Sequence, residues 1–176
     1  SDKHSPIEVI SLNSSELMTR DKADPVSNDF PVKVKPSLNH EQFMYLRELP
    51  PKKSNKIRII ILHHPLYQVV SEDSQSEVLA DGAKLINYCQ ELDVDVVIHG
   101  HSHFSGIYEH KLTPLNEVGY SERQAKSLKF LSMPTLGGYP SLSTPMRQYL
   151  VLKIDLKDDE GKRNFQVISR VFNAQL

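Results

Sequence analysis

The chain has 176 residues, 39% of them hydrophobic and 24% charged, with a formal net charge of -1. That is enough apolar content for one domain with a genuine core, and the near-neutral balance excludes a general electrostatic pull toward nucleic-acid polymers or an anionic membrane surface. A single cysteine, Cys89, excludes an internal disulfide; no apolar run approaches a transmembrane span, and the first residues lack a signal-peptide pattern, which favours a cytoplasmic chain. In chain order, Ile7 to Leu12 alternates well enough for a short strand and ends in the polar Asn13-Ser14-Ser15. From Leu17 to Ser37, Pro25, Pro31 and Pro36 deny the chain a continuous helix or a central strand, so this stretch reads as a surface excursion. Asn39 is placed to cap a helix with Gln42 reaching back, Phe43, Leu46 and Leu49 recur near helical spacing, and Pro50-Pro51 stop it.

Ile57 to Leu62 is an apolar run that ends in His63-His64-Pro65, and a polar loop from Leu66 to Ser76 follows. Val78, Leu85, Cys89 and Leu92, joined by Leu79 and Ile86, mark the apolar face of a helix that runs through Gly82 and closes at Asp93, with Cys89 as a core residue. Val94 to Ile98 is then a buried strand leading into His99-Gly100-His101-Ser102-His103. Phe104 to Lys111 continues as an edge strand in which Phe104 and Tyr108 are expected to pack, and Leu128 to Met133 is a further strand before the turn-rich Pro134 to Pro140. Tyr149 to Leu156 and Phe165 to Phe172 alternate around an acidic, solvated tip at 157–162 and read as a hairpin.

The two histidine stretches share a grammar. Each follows an apolar strand, and in open α/β sheets ligands gather beyond the carboxyl ends of strands. Two such strands are parallel neighbours joined by the intervening helix. The H-x-H spacing in extended or loop backbone points two imidazoles the same way, and Gly100 is expected to let the chain turn close to a ligand. Imidazole is the commonest protein ligand for transition metals, so His63, His101 and His103 are the candidate metal ligands. His64 and His99, with Gly100 between the strand and the H-x-H pair, are weaker candidates that either support the ligands from behind or simply pack. A hydrogen-bonded histidine cluster and a structural metal site are the plainer alternatives.

His63-His64-Pro65 after one apolar strand, then a helix, a second strand and Gly100-His101-Ser102-His103, resembles the carboxyl-terminal half of the calcineurin-like metallophosphoesterases. Within that superfamily it is most similar to the cyclic-nucleotide-phosphodiesterase-like and purple-acid-phosphatase-like branches, and the Glu41-Gln42 helix resembles the family's E-Q-x-x-x-L element. The resemblance implies a hydrolase with two divalent or trivalent metal ions, manganese, iron or zinc. His63 and His101 would serve one ion and His103 the other, with a nucleotide-like phosphodiester or phosphomonoester as substrate. It also implies one half of a four-layer α/β/β/α sandwich: a mixed sheet, helices on one face and a terminal β-hairpin.

The family pattern further includes a DxH element, GDxxD, and GNH followed by an acidic residue, which supply a bridging aspartate, an asparagine ligand and the catalytic acid. These have no counterpart here. The expectation is that an amino-terminal half of the same protein, or a second chain, provides them and covers the other sheet face. A phosphoesterase-fold scaffold that binds protein partners and does no chemistry is the other class of function consistent with the sequence.

Overall fold

In the computed structural model the described residues are 5–15, 17–20, 34–67, 78–101, 105–111, 127–133, 147–155 and 164–172. They form β1 (Ile7–Ser11), β2 (Leu17–Arg20), β3 (Val34–Ser37), α1 (His40–Glu48), β4 (Ile57–Leu62), α2 (Gly82–Glu91), β5 (Val96–His99), β6 (Gly106–Lys111), β7 (Ser127–Ser132), β8 (Arg147–Asp155) and β9 (Asn164–Phe172). A five-stranded mixed sheet has the order β1-β4-β5-β7-β6. The first four strands run parallel, and β6 closes the far edge antiparallel to β7.

Period-two alternation divides the sheet's side chains between two cores. On one face Ile10, Leu12, Ile60, Leu62, Val97, Leu128 and Phe130 pack with Phe43 and Leu46 of α1 and Leu85 and Cys89 of α2, so both helices lie on the same side. Cys89 is buried and free, as a small core residue should be, and Tyr108 of β6 packs against this cluster. On the other face Ile57, Ile59, Val96 and Leu131 meet Leu150, Leu152, Ile154, Phe165 and Val167 of the β8–β9 hairpin. The face expected to await another polypeptide is therefore covered in part by the chain's own hairpin. Val9 of β1 and Ile107 of β6 remain 54% and 60% exposed.

Three local departures from the sequence expectation have identifiable causes. The 17–37 excursion carries an antiparallel ribbon, β2 with β3, and Pro36 sits in it because a strand paired on one side only can spare an N–H. Helix α2 begins at Gly82, with Asp81 at its N-cap, and not at Val78. The Leu79 and Ala80 N–H groups donate to the carbonyls of Pro65 (2.9 Å) and Pro36 (2.8 Å), which ties that backbone to neighbouring segments. A Cβ at position 82 would collide with the Leu66 carbonyl oxygen, so only glycine lets the helix start this close. At the other end Asp93 adopts φ 55°, with Val94 N–H donating to Cys89 O and Asp93 N–H to Gln90 O. This Schellman closure delays β5 to Val96.

The amino-terminal end of the sheet is pinned by buried charge. Arg58, inside the apolar β4 run, is almost fully buried: its Nε donates to Glu8 (2.7 Å), Nη1 to Leu92 O (2.8 Å) and Nη2 to Pro50 O (2.9 Å). Lys52 reaches Asp95 (2.7 Å) and Asp93 (2.8 Å), and Asp95 also accepts the Arg58 N–H (2.8 Å). These contacts set β1, β4 and the α2–β5 junction in register, and with them the opposite rim.

Candidate metal centre

The carboxyl ends of β1, β4 and β5 stand side by side, and the chain leaves each through a polar turn. Asn13 follows β1 and is held at both its N–H and its carbonyl by the Gln42 side-chain amide (2.7 and 3.1 Å). The Asn39 side chain caps α1 by accepting the Gln42 N–H (2.8 Å), so the start of that helix and the end of β1 are fixed together. Ser14 comes next, 1% exposed. Its Oγ accepts the N–H groups of His63 (3.2 Å) and His64 (3.1 Å) and lies 3.0 Å from His64 Nδ1, which clamps the turn leaving β4.

From β5 the Gly100 N–H donates to His63 O (3.0 Å), carrying the β4–β5 ladder one step past the strands and bringing His101 over His63. His101 Nδ1 is 3.2 Å from His63 Nε2. Two imidazole nitrogens bound to one ion at about 2.0–2.1 Å sit about 3.3–3.4 Å apart at tetrahedral angles, so this pair is already close to the separation a shared metal requires. His64 completes the group: one ring nitrogen from each of His63, His64 and His101 lies within 4.8 Å of the others. His63 is exposed, His101 half-buried and His64 buried, which gives the cluster an open side and a closed one.

The electrostatics favour neutral imidazole on the closed side. The His64 pKa is lowered to about 4, first by burial, then by repulsion from His101 and His63, with a hydrogen bond to the Ser14 backbone opposing the shift. Three imidazole nitrogens gathered within 4.8 Å of one another are chemically matched to a divalent cation. When bound, such an ion would be held by His63 and His101 at least.

The structure brings some of the candidate histidines together and holds another apart. His63 and His101 converge. His64, one of the weaker candidates, joins them because it occupies the tightest part of the turn that Ser14 clamps. His99 stays apart: as the last residue of β5 it faces the helix side, 2% exposed, its Nδ1 3.3 Å from Gly100 O and its pKa lowered by burial. Gly100 does not provide the turn. A Cβ there would meet only ordinary contacts with His63, and the left-handed backbone falls on His101 itself, at φ 63°. Strain of this kind is kept where surrounding contacts hold it in place, here the ladder bond to His63 and the contact with its ring.

His103, Phe104 and the segments 68–76, 134–140 and 157–162 lie outside the described residues, as does Asp2-Lys3-His4, which spells D-x-H and so corrects the expectation that this element has no counterpart in the sequence. Sequence reasoning passed over Ser14. Its only signal was position, a small hydroxyl residue leaving a strand that proves to be the neighbour of the histidine-bearing β4.

Among the described residues no helix is long and apolar enough to cross a membrane. No curated protein matches the chain. A family model described as calcineurin-like phosphoesterase matches residues 4–105, a span that holds β1, β4, β5, both helices and the histidine cluster. With more than half of its length matched, the chain belongs to the calcineurin-like phosphoesterases, a family of hydrolytic, metal-binding phosphoesterases.

Proposed function

We propose that this chain forms one side of a dimetal centre that hydrolyses phosphodiesters or phosphomonoesters of small, nucleotide-like molecules. The observation that carries the reading is the convergence of His63, His64 and His101 beyond β4 and β5 in a chain of this family. His63 and His101 hold one ion together, and His103, two residues further on, is assigned to the second by its place in the Gly100-His101-Ser102-His103 motif. Bound manganese, iron or zinc supplies Lewis acidity and charge neutralisation for transfer of a phosphoryl group to water.

The part played by this chain is to orient. Ser14 and the ladder bond at Gly100 hold the imidazoles at ligand spacing, and the exposed side of His63 leaves the centre open to a phosphate ester. The bridging carboxylate, the asparagine ligand and the catalytic acid are assigned to an amino-terminal half or a second chain.

Metal analysis joined to hydrolysis of a chromogenic phosphodiester tests this. Two ions and metal-dependent turnover, in the protein joined to the segment that supplies the carboxylates, are expected. One tight ion without turnover would make the site structural, and no metal at all would favour a partner-binding scaffold. His101→Ala should lower metal affinity by about tenfold or more. Unchanged metal content in that variant refutes the assignment.

A further inference from the structure

The motif resemblance gives His63 and His101 to one ion and leaves His64 without a task. The structure places its ring as close to theirs as theirs are to each other: ring centres are 4.8 Å apart for His63 and His64, 5.0 Å for His63 and His101, and 4.6 Å for His64 and His101. Imidazoles bound to one ion at about 2.0–2.1 Å have their centres roughly 3 Å from it and, at tetrahedral angles, roughly 5 Å from one another. Three rings at the corners of a nearly equilateral triangle therefore have the spacing of three ligands to a single cation.

The hydrogen bonds of His64 leave one nitrogen for that use. Its Nδ1 lies 3.0 Å from Ser14 Oγ, and a hydrogen bond to the Ser14 backbone favours a proton on that side of the ring. A neutral imidazole protonated at Nδ1 has its lone pair on Nε2, and metal-bound histidines hold the proton of the other nitrogen against an acceptor such as a backbone carbonyl. Among the described residues Nε2 has no hydrogen-bond partner, although the residue is only 3% exposed, and buried polar atoms are seldom left unpaired. We propose that His64 Nε2 is the third ligand of the ion shared by His63 and His101, so that this chain holds one cation with three imidazoles and needs no outside ligand for it. Three neutral nitrogens bring no negative charge, which selects zinc, cobalt or nickel over magnesium or manganese. The inference rests on the metal-centre reading for the ion itself and adds its third ligand and its chemical class.

Zinc titration of the 176-residue chain, followed by calorimetry and by side-chain 15N NMR, tests this. The ring signals are assigned through bonds from the backbone, so the reading needs no variant. The His64 Nε2 signal should move to a metal-bound position together with one nitrogen each of His63 and His101, while His64 Nδ1 keeps its proton. Zinc affinity should fall about tenfold or more in His64→Gln, as in His101→Ala, and stay within about threefold of the parent in His110→Gln, which alters an exposed histidine of β6 outside the cluster. Manganese at about hundredfold excess should leave the zinc in place.

Zinc that shifts His63 and His101 but not His64 Nε2 would overturn the proposal and leave the metal-centre reading standing. So would a folded His64→Gln chain that binds zinc within about threefold of the parent. Displacement of zinc by manganese would overturn the cation class. If the chain alone takes up no zinc, the third-ligand proposal fails, because it makes the site complete within this chain; the metal-centre reading fails only if the protein joined to the carboxylate-bearing segment binds no metal either.

Discussion

The two ends of the central sheet solve the problem of buried polar groups in opposite ways. At the amino-terminal end, Arg58 and Lys52 are surrounded by acceptors from the same chain, Glu8, Asp93, Asp95 and the carbonyls of Pro50 and Leu92. Opposite charges meet and the network closes on itself. At the carboxyl rim three imidazoles meet one another, like beside like, with a backbone clamp from Ser14 and an open side at His63. A closed network of complementary charges holds strands in register, while a cluster of one donor type held at ligand distance has use only for something that arrives from outside. The same three strands therefore carry a closed ion-pair network at one end and the candidate metal site at the other.

That contrast can be broken at either end. Arg58→Met should have the largest effect, about 3–5 kcal/mol of lost stability in urea denaturation, because it strands Glu8 and the carbonyls of Leu92 and Pro50 without their donor. Zinc affinity of the folded fraction should nonetheless stay within about threefold of the parent if the two ends are energetically separate, as distant sites usually are. A loss of metal binding in parallel with stability would show that they are one unit.

Gly82→Ala should cost about 1–3 kcal/mol by forcing a methyl against the Leu66 carbonyl. Here the damage should reach the rim. Leu66 follows His63-His64-Pro65, and Pro65 O accepts the Leu79 N–H just before the helix, so displacement of this junction should weaken zinc binding as well. Stability lost with zinc affinity unchanged would mean that the turn is held by Ser14 alone.

A third effect is on acid sensitivity. His64 and His99 both have pKa values lowered from 6.5 by burial, His64 to about 4. Below 6.5 the unfolded chain takes up protons that the folded chain refuses, so this stability is fully present above 6.5 and is lost as pH falls toward 4. For His64 the slope should approach about 1.4 kcal/mol per pH unit in that window. Urea melts between about pH 7 and about pH 5 measure it, and His64→Gln should flatten the slope if the rim, and not the carboxylates of the other end, is responsible.

Much of the scaffold was legible because it rests on local patterns. Ile57 to Leu62 reads as a buried strand, Asn39 as a helix cap, and the alternation on either side of 157–162 as a hairpin, and each is found where its pattern lies. Other features depend on neighbours that no local pattern names. Pro36 argued against a strand and yet sits in a ribbon, Gly82 looked like a tolerated helix residue and is the point of closest approach, and Arg58 gave no sign of being a buried hub.

By itself the sequence determined that imidazoles leave the ends of two apolar strands, since residue type and period are properties of the chain read in one direction. Only the tertiary structure decided which of them meet. Pairing β1 beside β4 brings Ser14 across 50 positions to His64, and the turn at His101 lays its ring over His63 while His99 remains in the core. Coordination and hydrogen bonding act over about 2–3 Å, a scale that spacing along the chain does not specify until the strands are packed.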